Sequence, residues 1–419
     1  MENPGRQSAR ERQETSATRP TPVALMKRRA RLPGPPWLWW VGSAVALVVI
    51  VSGLTQALLA HGESRLADHA HAQQTAQATP QYTADVSAVA MTSDTDAWAF
   101  GTWGQSFNGP IRGNATPSGC QVCLLLLHYD GHAWSRVQPD PSLAGISVRV
   151  TSVTMLSPSE GWAVGGNNVL QYTNGAWKLA TTVPTDAQVY DSLTGIAMIS
   201  SSEGWAIGSQ SNPNTGDSPL LLHDLHGAWS SVHLPAFDDL RTTVQSISVR
   251  PSGEGWLVGG DYTDAGQRTI VEHLRGGVWS AEPTGVDAQL NGVYAVSRTE
   301  AWAVGTKDIA VGPGVILHYL KGKWTSVPSP TPNLLHTVMM RSPTEGWIGG
   351  DGAATLRYDG SAWTKVGMVI HGFELVSLAF GGTEGWGAGF YGGQPAQSPL
   401  LLHYSAGEWT SYPLHLTLP

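Results

Sequence analysis

Few residues of this 419-residue chain have the types and spacing that chemistry needs. The only two cysteines form Cys120-Gln-Val-Cys123. A redox pair of the thioredoxin kind places that spacing at a helix start after a strand, whereas here the apolar, strand-like run 124–127 follows. The expectation is a small structural disulfide in an oxidising compartment. Zinc would require further ligands close by in sequence, and none stands there. Asp261, Asp264 and Gly266 have part of the spacing of a calcium loop but lack its bidentate Glu six residues past the glycine. Asn114-Ala-Thr116 fits a glycosylation sequon, a short pattern that chance also produces.

Histidines offer a second possibility. His128, His223, His273, His318 and His403 recur at wide, regular intervals, each trailing a Trp that follows an acid or a Gly. If these positions are equivalent units of a repeat they lie on a wide ring, too far apart to share one ion at about 2 Å. They read as half-buried strand residues, each bonding a neighbouring backbone group. The acids Asp96, Glu160, Glu203, Glu254, Glu300, Glu345 and Glu384 come in seven copies, as turn residues do and catalytic carboxylates do not. His61, His69 and His71 fall in a polar stretch that reads as a solvated linker.

The elements that position all of these come from the repeat itself. A Trp stands at 98, 162, 205, 256, 302, 347 and 386, with a Gly three residues on, and a second Trp follows at 134, 177, 229, 279, 324, 363 and 409. Repetition at a period near 40 to 50 residues marks a propeller, solenoid or array. Within a unit, four short alternating runs are separated by turn chemistry, the count for one propeller blade. Apolar pairs nine and seven residues before the first Trp, from Val89/Met91 to Ser377/Ala379, put one apolar face on each first strand. The fold expected is all-β, a seven-bladed β-propeller of four-stranded antiparallel blades over residues 85–419, with the tryptophans packed between blades.

Charge is divided unevenly. Residues 1–36 carry eight Arg or Lys against three Glu, a net of +5, so that with −8 for the whole chain the remainder carries −13. An acidic body excludes a nucleic-acid partner, whose phosphates need a basic face. The basic tail, read as disordered, precedes twenty-four uncharged residues at 37–60, enough to cross a hydrocarbon core of about 30 Å. The spacing predicts a single transmembrane helix. Lys27 to Arg31 on its N-terminal side keeps the N-terminus cytoplasmic, so the linker 61–84 and the propeller lie outside, at the cell membrane.

The separation of the paired tryptophans runs 36, 15, 24, 23, 22, 16 and 23 residues, so the loops between second and third strands vary while the hairpin turns at the other end stay short. Long variable loops collect on one face, where rigid scaffolds carry function. The longest, 102–121, holds Trp103, Phe107 and Arg112, aromatic and Arg residues of the kind that anchor contacts. These three are the candidate binding residues, with folding of the loop onto its own blade as the alternative.

At Tyr358-Asp359-Gly360-Ser361-Ala362-Trp363, preceded by Glu345-Gly346-Trp347-Ile348-Gly349-Gly350, the repeat resembles the photosystem II assembly and stability factor type of bacterial propeller, and the related sialidase Asp-box and kelch repeats. That resemblance implies the propeller fold and a scaffold that binds a protein partner. The Asp-box is incomplete, with Arg357 where it has Ser or Thr, and no sialidase residues can be placed. The function expected is a membrane-anchored, extracytoplasmic, non-enzymatic binding or assembly platform without cofactor or metal. Its alternative is a glycan-binding or glycan-processing protein, and a redox role for Cys120 and Cys123 stands third.

Overall fold

The computed structural model describes residues 82–105, 122–144, 146, 148–183, 190–212, 216–234, 242–263, 266–307, 312–367, 370–391 and 400–416. All lie in the compact unit Thr79–Pro419. The expected tail, transmembrane helix and linker as far as residue 81 fall outside them, while residues 82–84, expected as linker, already belong to the first strand, Tyr82–Ser93; among the described residues no helix is long and apolar enough to cross a membrane.

The described strands form seven four-stranded antiparallel sheets, each in chain order, here strands A to D. Blade 1 runs from Tyr82 to Arg136, blade 2 from Ser152 to Thr182, blade 3 from Tyr190 to Ser231 and blade 4 from Thr242 to Ala281. Blade 5 runs from Gln289 to Val327, blade 6 from Leu335 to Val366 and blade 7 from Phe373 to Pro413. Each strand A lies beside the next blade's strand A, and blade 7 packs on blade 1, so the ring closes. Every blade is a whole unit, and closure exchanges no strand. The described residues after Pro413, 414–416, add no strand either: Leu414 is buried in the wedge between blades 7 and 1, and Leu416 packs against it.

Indoles hold the blades together. The strand B Trp of one blade meets the strand D Trp of the next edge-on: Trp98 with Trp177, Trp205 with Trp279, Trp256 with Trp324, Trp302 with Trp363, and across the closure Trp386 with Trp134, at centroid distances of 5.0 to 5.9 Å. Edge-to-face pairs of this kind stabilise beyond the roughly 150–250 Å² that each ring buries. The apolar pairs of strand A pack on the preceding blade's Trp, as Ile196 and Met198 do on Trp162. In blade 7 the pair is Leu378 and Phe380, against Trp347, in place of the expected Ser377 and Ala379. The reason is one residue of register. Most blades have a bulge or an extra turn residue at the A–B hairpin, so Trp98 pairs with Ala90, eight residues back; blade 7 has neither, and Trp386 pairs with Ala379, seven back.

The histidines correct a second expectation. In register each stands opposite its blade's Trp, Trp98 with His128 and Trp302 with His318, while the acid two residues before the Trp shares that face. His128 Nε2 is 2.7 Å from Asp96 Oδ1, His318 Nε2 3.1 Å from Glu300 Oε1, and His403 Nε2 2.8 Å from Glu384 Oε2. The imidazoles stack on the indoles at 3.6 to 4.4 Å. In blades 1, 5 and 7 the partner of the repeated His is therefore the hairpin acid, and not a backbone group, whereas in blade 3 His223 stands 3.6 Å from Glu203 and in blade 4 His273 stands 3.6 Å from Glu282 instead. Arg357 bonds Glu345 in the same place in blade 6.

Candidate functional site

The glycine three residues after each first Trp determines what faces the central channel. At Gly101 a Cβ would run into the carbonyl of Asp85, and at Gly259 into that of Thr243, so no other residue fits. The crowding arises because strand A bulges there: register shifts fall between Val86 and Ala88, Val244 and Ser246, Leu290 and Gly292, Leu335 and Thr337, and Leu375 and Ser377. A bulge re-aims the extra residue's side chain. The extra residues are Ser87, Gln245, Asn291, His336 and Val376, with Thr151 and Thr194 equivalent in blades 2 and 3. Six of these seven are polar, and all but Ser87 line cavities in the channel.

Most of this ring is occupied by joinery. Ser87 Oγ donates to Val150 O at 2.6 Å, Thr151 Oγ1 to Leu193 O at 2.9 Å, and Asn291 Nδ2 to Leu335 O at 2.9 Å, each reaching the next blade's strand A. His336 does otherwise. Its Nε2 lies 2.6 Å from Asp351 Oδ1, in the B–C turn of its own blade.

Two residues before each of these comes a second set: Asp85, Arg149, Ser192, Thr243, Gln289, Leu334 and Glu374. They stand at the strand starts, the end where the variable B–C and D–A connections lie. Over blades 4 to 7 a cavity of about 440 Å³ opens among Thr243, Gln289, Asn291, Thr306, Leu334 and His336. Its polar lining is hydroxyl, amide and imidazole. Thr243 Oγ1 donates to Gly260 O at 3.2 Å and stands 3.4 Å from Gln289 Oε1. At another part of the same end Arg149 Nη2 lies 3.6 Å from Asp85 Oδ2, and its guanidinium sits 4.5 Å over the Phe390 ring. Such a site can hydrogen-bond an extended polar chain and pair its charges.

The anchors expected from the sequence are placed differently. Trp103 belongs to strand B of blade 1, Asp96–Gln105, pairs in register with Cys123 and is 2% exposed. Its strand runs further than the loop assigned from residue 102, so the indole packs in the core between blades 7 and 1 under the Arg136 guanidinium, 5.0 Å away. It offers no surface to a partner, which corrects its assignment as a contact residue. Phe107, Arg112 and Cys120 lie outside the described residues; Cys123 is disulfide-bonded. Asp261 is fully buried and accepts from Arg268 Nε at 2.8 Å across its own hairpin, and Asp264 lies outside the described residues.

The ring residues were missed because they do not alternate with the apolar positions of strand A. The signal was available in the repeated glycine, which in a strand marks a bulge or a close backbone approach.

No model of a known protein family matches the chain, and no curated protein does. Solved structures do. YCF48 bound to D1 peptide matches with a TM-score of 0.50 and 16% identity over 78% of this chain and 97% of that one. YCF48 from Cyanidioschyzon merolae matches at 0.51 and 13% identity, over 78% and 97%. A puromycin-hydrolyzing peptidase of Mycobacterium tuberculosis matches at 0.51 and 12% identity, over 80% of this chain but 54% of that one. At such identities the likeness shows the fold alone: a seven-bladed β-propeller similar to that of YCF48, the photosystem II assembly factor whose type the Trp and Gly repeat resembles.

Proposed function

We propose that the chain is a non-enzymatic propeller, held outside the cell by the helix at 37–60, that binds an extended segment of a protein partner over the mouth of its channel. The observation that carries this reading is the open cavity of about 440 Å³ at the strand A starts, lined by Thr243, Gln289, Asn291, Thr306 and His336. Amide and hydroxyl groups of this kind match the donors and acceptors of a peptide backbone, with Arg149 and Glu374 at equivalent positions to select its charges. YCF48, of the same fold, has been solved with a D1 peptide, which supports a peptide ligand. The disulfide at Cys123 suits an oxidising exterior; we assign its partner as Cys120, the one other cysteine, clipping the blade 1 insertion.

Photo-crosslinking tests this. The full chain carries a photoreactive residue in place of Thr243 or, as the control on the opposite end, Ser159 in the A–B turn of blade 2. A discrete protein adduct from position 243 and none from 159 is the expected outcome. Equal capture from both positions, or glycan capture without any protein adduct, overturns the proposal.

A further inference from the structure

The repeat makes its own departures visible. At each joint three positions come together at the channel mouth: the bulged residue of one blade, the residue four past its first Trp, and the residue two before the next blade's bulge. At the joint of blades 1 and 2 these are Ser87, Thr102 and Arg149; at that of blades 5 and 6 they are Asn291, Thr306 and Leu334. At the joint of blades 6 and 7 they are His336, Asp351 and Glu374. We propose that these three side chains form a binding site for one divalent transition-metal ion. This is separate from the partner-binding reading and stands or falls without it.

One ligand atom from each residue lies within 4.8 Å of the others, and among the described residues no other group of His, Cys, Asp or Glu does this. Metal–ligand bonds of about 2.1 Å require ligand atoms roughly 3 to 3.5 Å apart. The three donors are thus a small rotamer adjustment from a shared ion. His336 Nε2 and Asp351 Oδ1 already meet at 2.6 Å. An ion between them displaces the proton they share and takes a lone pair from each.

The backbone holds the donors in place before any ion binds. Asp351 N donates to Leu334 O at 3.0 Å, beside the strand that carries His336, and Asn333 Nδ2 donates to Asp351 O at 2.7 Å. Asp351 and Glu374 form an isolated antiparallel bridge between the two blades, and Ala353 N donates to Phe373 O at 2.9 Å just beyond it. Two blades therefore converge on the site through main-chain bonds. The fold does not need the three side chains, because the joints of blades 1 and 2 and of blades 5 and 6 close with Ser, Thr, Arg, Asn or Leu in their places.

Donor chemistry selects the ion. One imidazole with two carboxylates is a borderline set, suited to Zn²⁺ or Mn²⁺; Mg²⁺ and Ca²⁺ prefer oxygen alone. Three protein ligands leave a coordination position free. His336 also lines the cavity at the mouth.

Calorimetric titration of the chelator-treated full chain with ZnCl₂ and MgCl₂ tests the site, with Co²⁺ absorption reporting coordination. One saturable Zn²⁺ site is expected, with Mg²⁺ binding far weaker. H336Q and E374Q should each weaken it by at least about 100-fold, beyond the roughly 10- to 100-fold cost of losing an outer hydrogen-bond partner. D85N, at the position equivalent to Glu374 in another joint, should leave it unchanged. Should H336Q fail to fold, E374Q carries the test, since Glu374 is only half-buried. No Zn²⁺ binding, a preference for Mg²⁺, or unchanged affinity in E374Q overturns the proposal.

Discussion

The joint of blades 4 and 5 and the joint of blades 7 and 1 do the same task under different constraints. Seven residues of chain link Ala281 to Gln289 across the first; nothing covalent local to the joint spans the second. Their apolar wedges are nonetheless alike, Trp256 meeting Trp324 at 5.0 Å and 78°, Trp386 meeting Trp134 at 5.1 Å and 81°. Closing a loop of 288 residues costs roughly 3 kcal/mol more than closing one of seven. A polar clamp faces that cost: Asp94, in the A–B turn of blade 1, accepts from the N–H groups of Gly382, Thr383 and Glu384 and from Thr383 Oγ1, at 2.6 to 3.1 Å. Closure thus reuses the repeated wedge and adds a bond set outside the repeat.

The sharpest way to break the comparison is to remove an indole from each joint. W256A and W386A should both cost about 3 to 5 kcal/mol, since both side chains are fully buried. They should differ in where the loss appears. Hydrogen exchange in W386A should show the inner strands Tyr82–Ser93 and Phe373–Phe380 opening ahead of the rest, because no chain holds blades 7 and 1 together once the wedge fails. In W256A the connection after Ala281 keeps the blades together, and protection should fall evenly. The same exchange pattern in both variants would show that the missing tether is irrelevant.

The wedge was legible in the sequence and the clamp was not, for a physical reason. Trp386 and Trp134 repeat a spacing seen in every unit, and indoles at period-two positions of a strand have to be buried. Asp94 is an ordinary turn acid; only its distance from Gly382, across 288 residues, gives it a role. The Trp, His and acid sets lie between these cases. All three recurrences stood in the sequence, yet pairing them needed the register that sets His403 opposite Trp386. The channel ring was hidden because a bulge puts Gln245 or His336 off the alternating pattern, and Trp103 was misplaced because nothing local marks that its strand reaches Gln105.

Acidity separates the joints next. At the closure His403 stands beside Glu384, but in blade 4 Arg298 Nη2 takes the equivalent Glu254 at 2.7 Å. His273 is then left 1% exposed on Trp256, and burial, aided by the charge of Arg275, pushes its pKa down to about 4. On the opposite face of that strand Glu272 is 3% exposed, and burial raises its pKa to about 7. The neutral Glu272 contributes stability that is full below its ordinary 4.5 and lost as pH rises through 7. The neutral His273 contributes stability that is full above its ordinary 6.5 and lost as pH falls through 4. Between about pH 4.5 and 6.5 the two slopes oppose, each at most about 1.4 kcal/mol per pH unit. Urea unfolding of E272Q should therefore show stability rising with pH in that window, and H273Q should show it falling, while the wild type changes less than either. Parallel curves for all three would mean that blade 4 buries neither group as described.

The clamp should give a smaller effect. Burial raises the pKa of Asp94, but the bonds from Glu384, Thr383 and Gly382 outweigh it and hold the carboxyl below its ordinary 3.8. Its contribution is present above that pH and lost as pH falls through the depressed value. D94N should lose about 1.5 to 3 kcal/mol at pH 7, the usual worth of bonds to a charged acceptor, and the gap to wild type should close in acid. A gap independent of pH would assign the loss to geometry, and the carboxylate would no longer mark closure as different.

The smallest effect probes what the two joints share. Val89 N donates to Ser377 Oγ at 3.1 Å across the closure, and Val293 N to Ser246 Oγ at 3.2 Å between blades 4 and 5. Both serines sit one residue after a bulged position, on the inner strand of the earlier blade, so each satisfies a main-chain donor that the next blade turns toward it. Alanine in either place leaves that donor without its acceptor near the channel wall, at a cost of about 1 kcal/mol. S377A and S246A should therefore lose equal stability within about 0.5 kcal/mol, since chain connectivity does not enter a bond between strands already wedged together. A markedly larger loss in S377A would place part of the closure energy in the repeated latch and reduce what is assigned to Asp94.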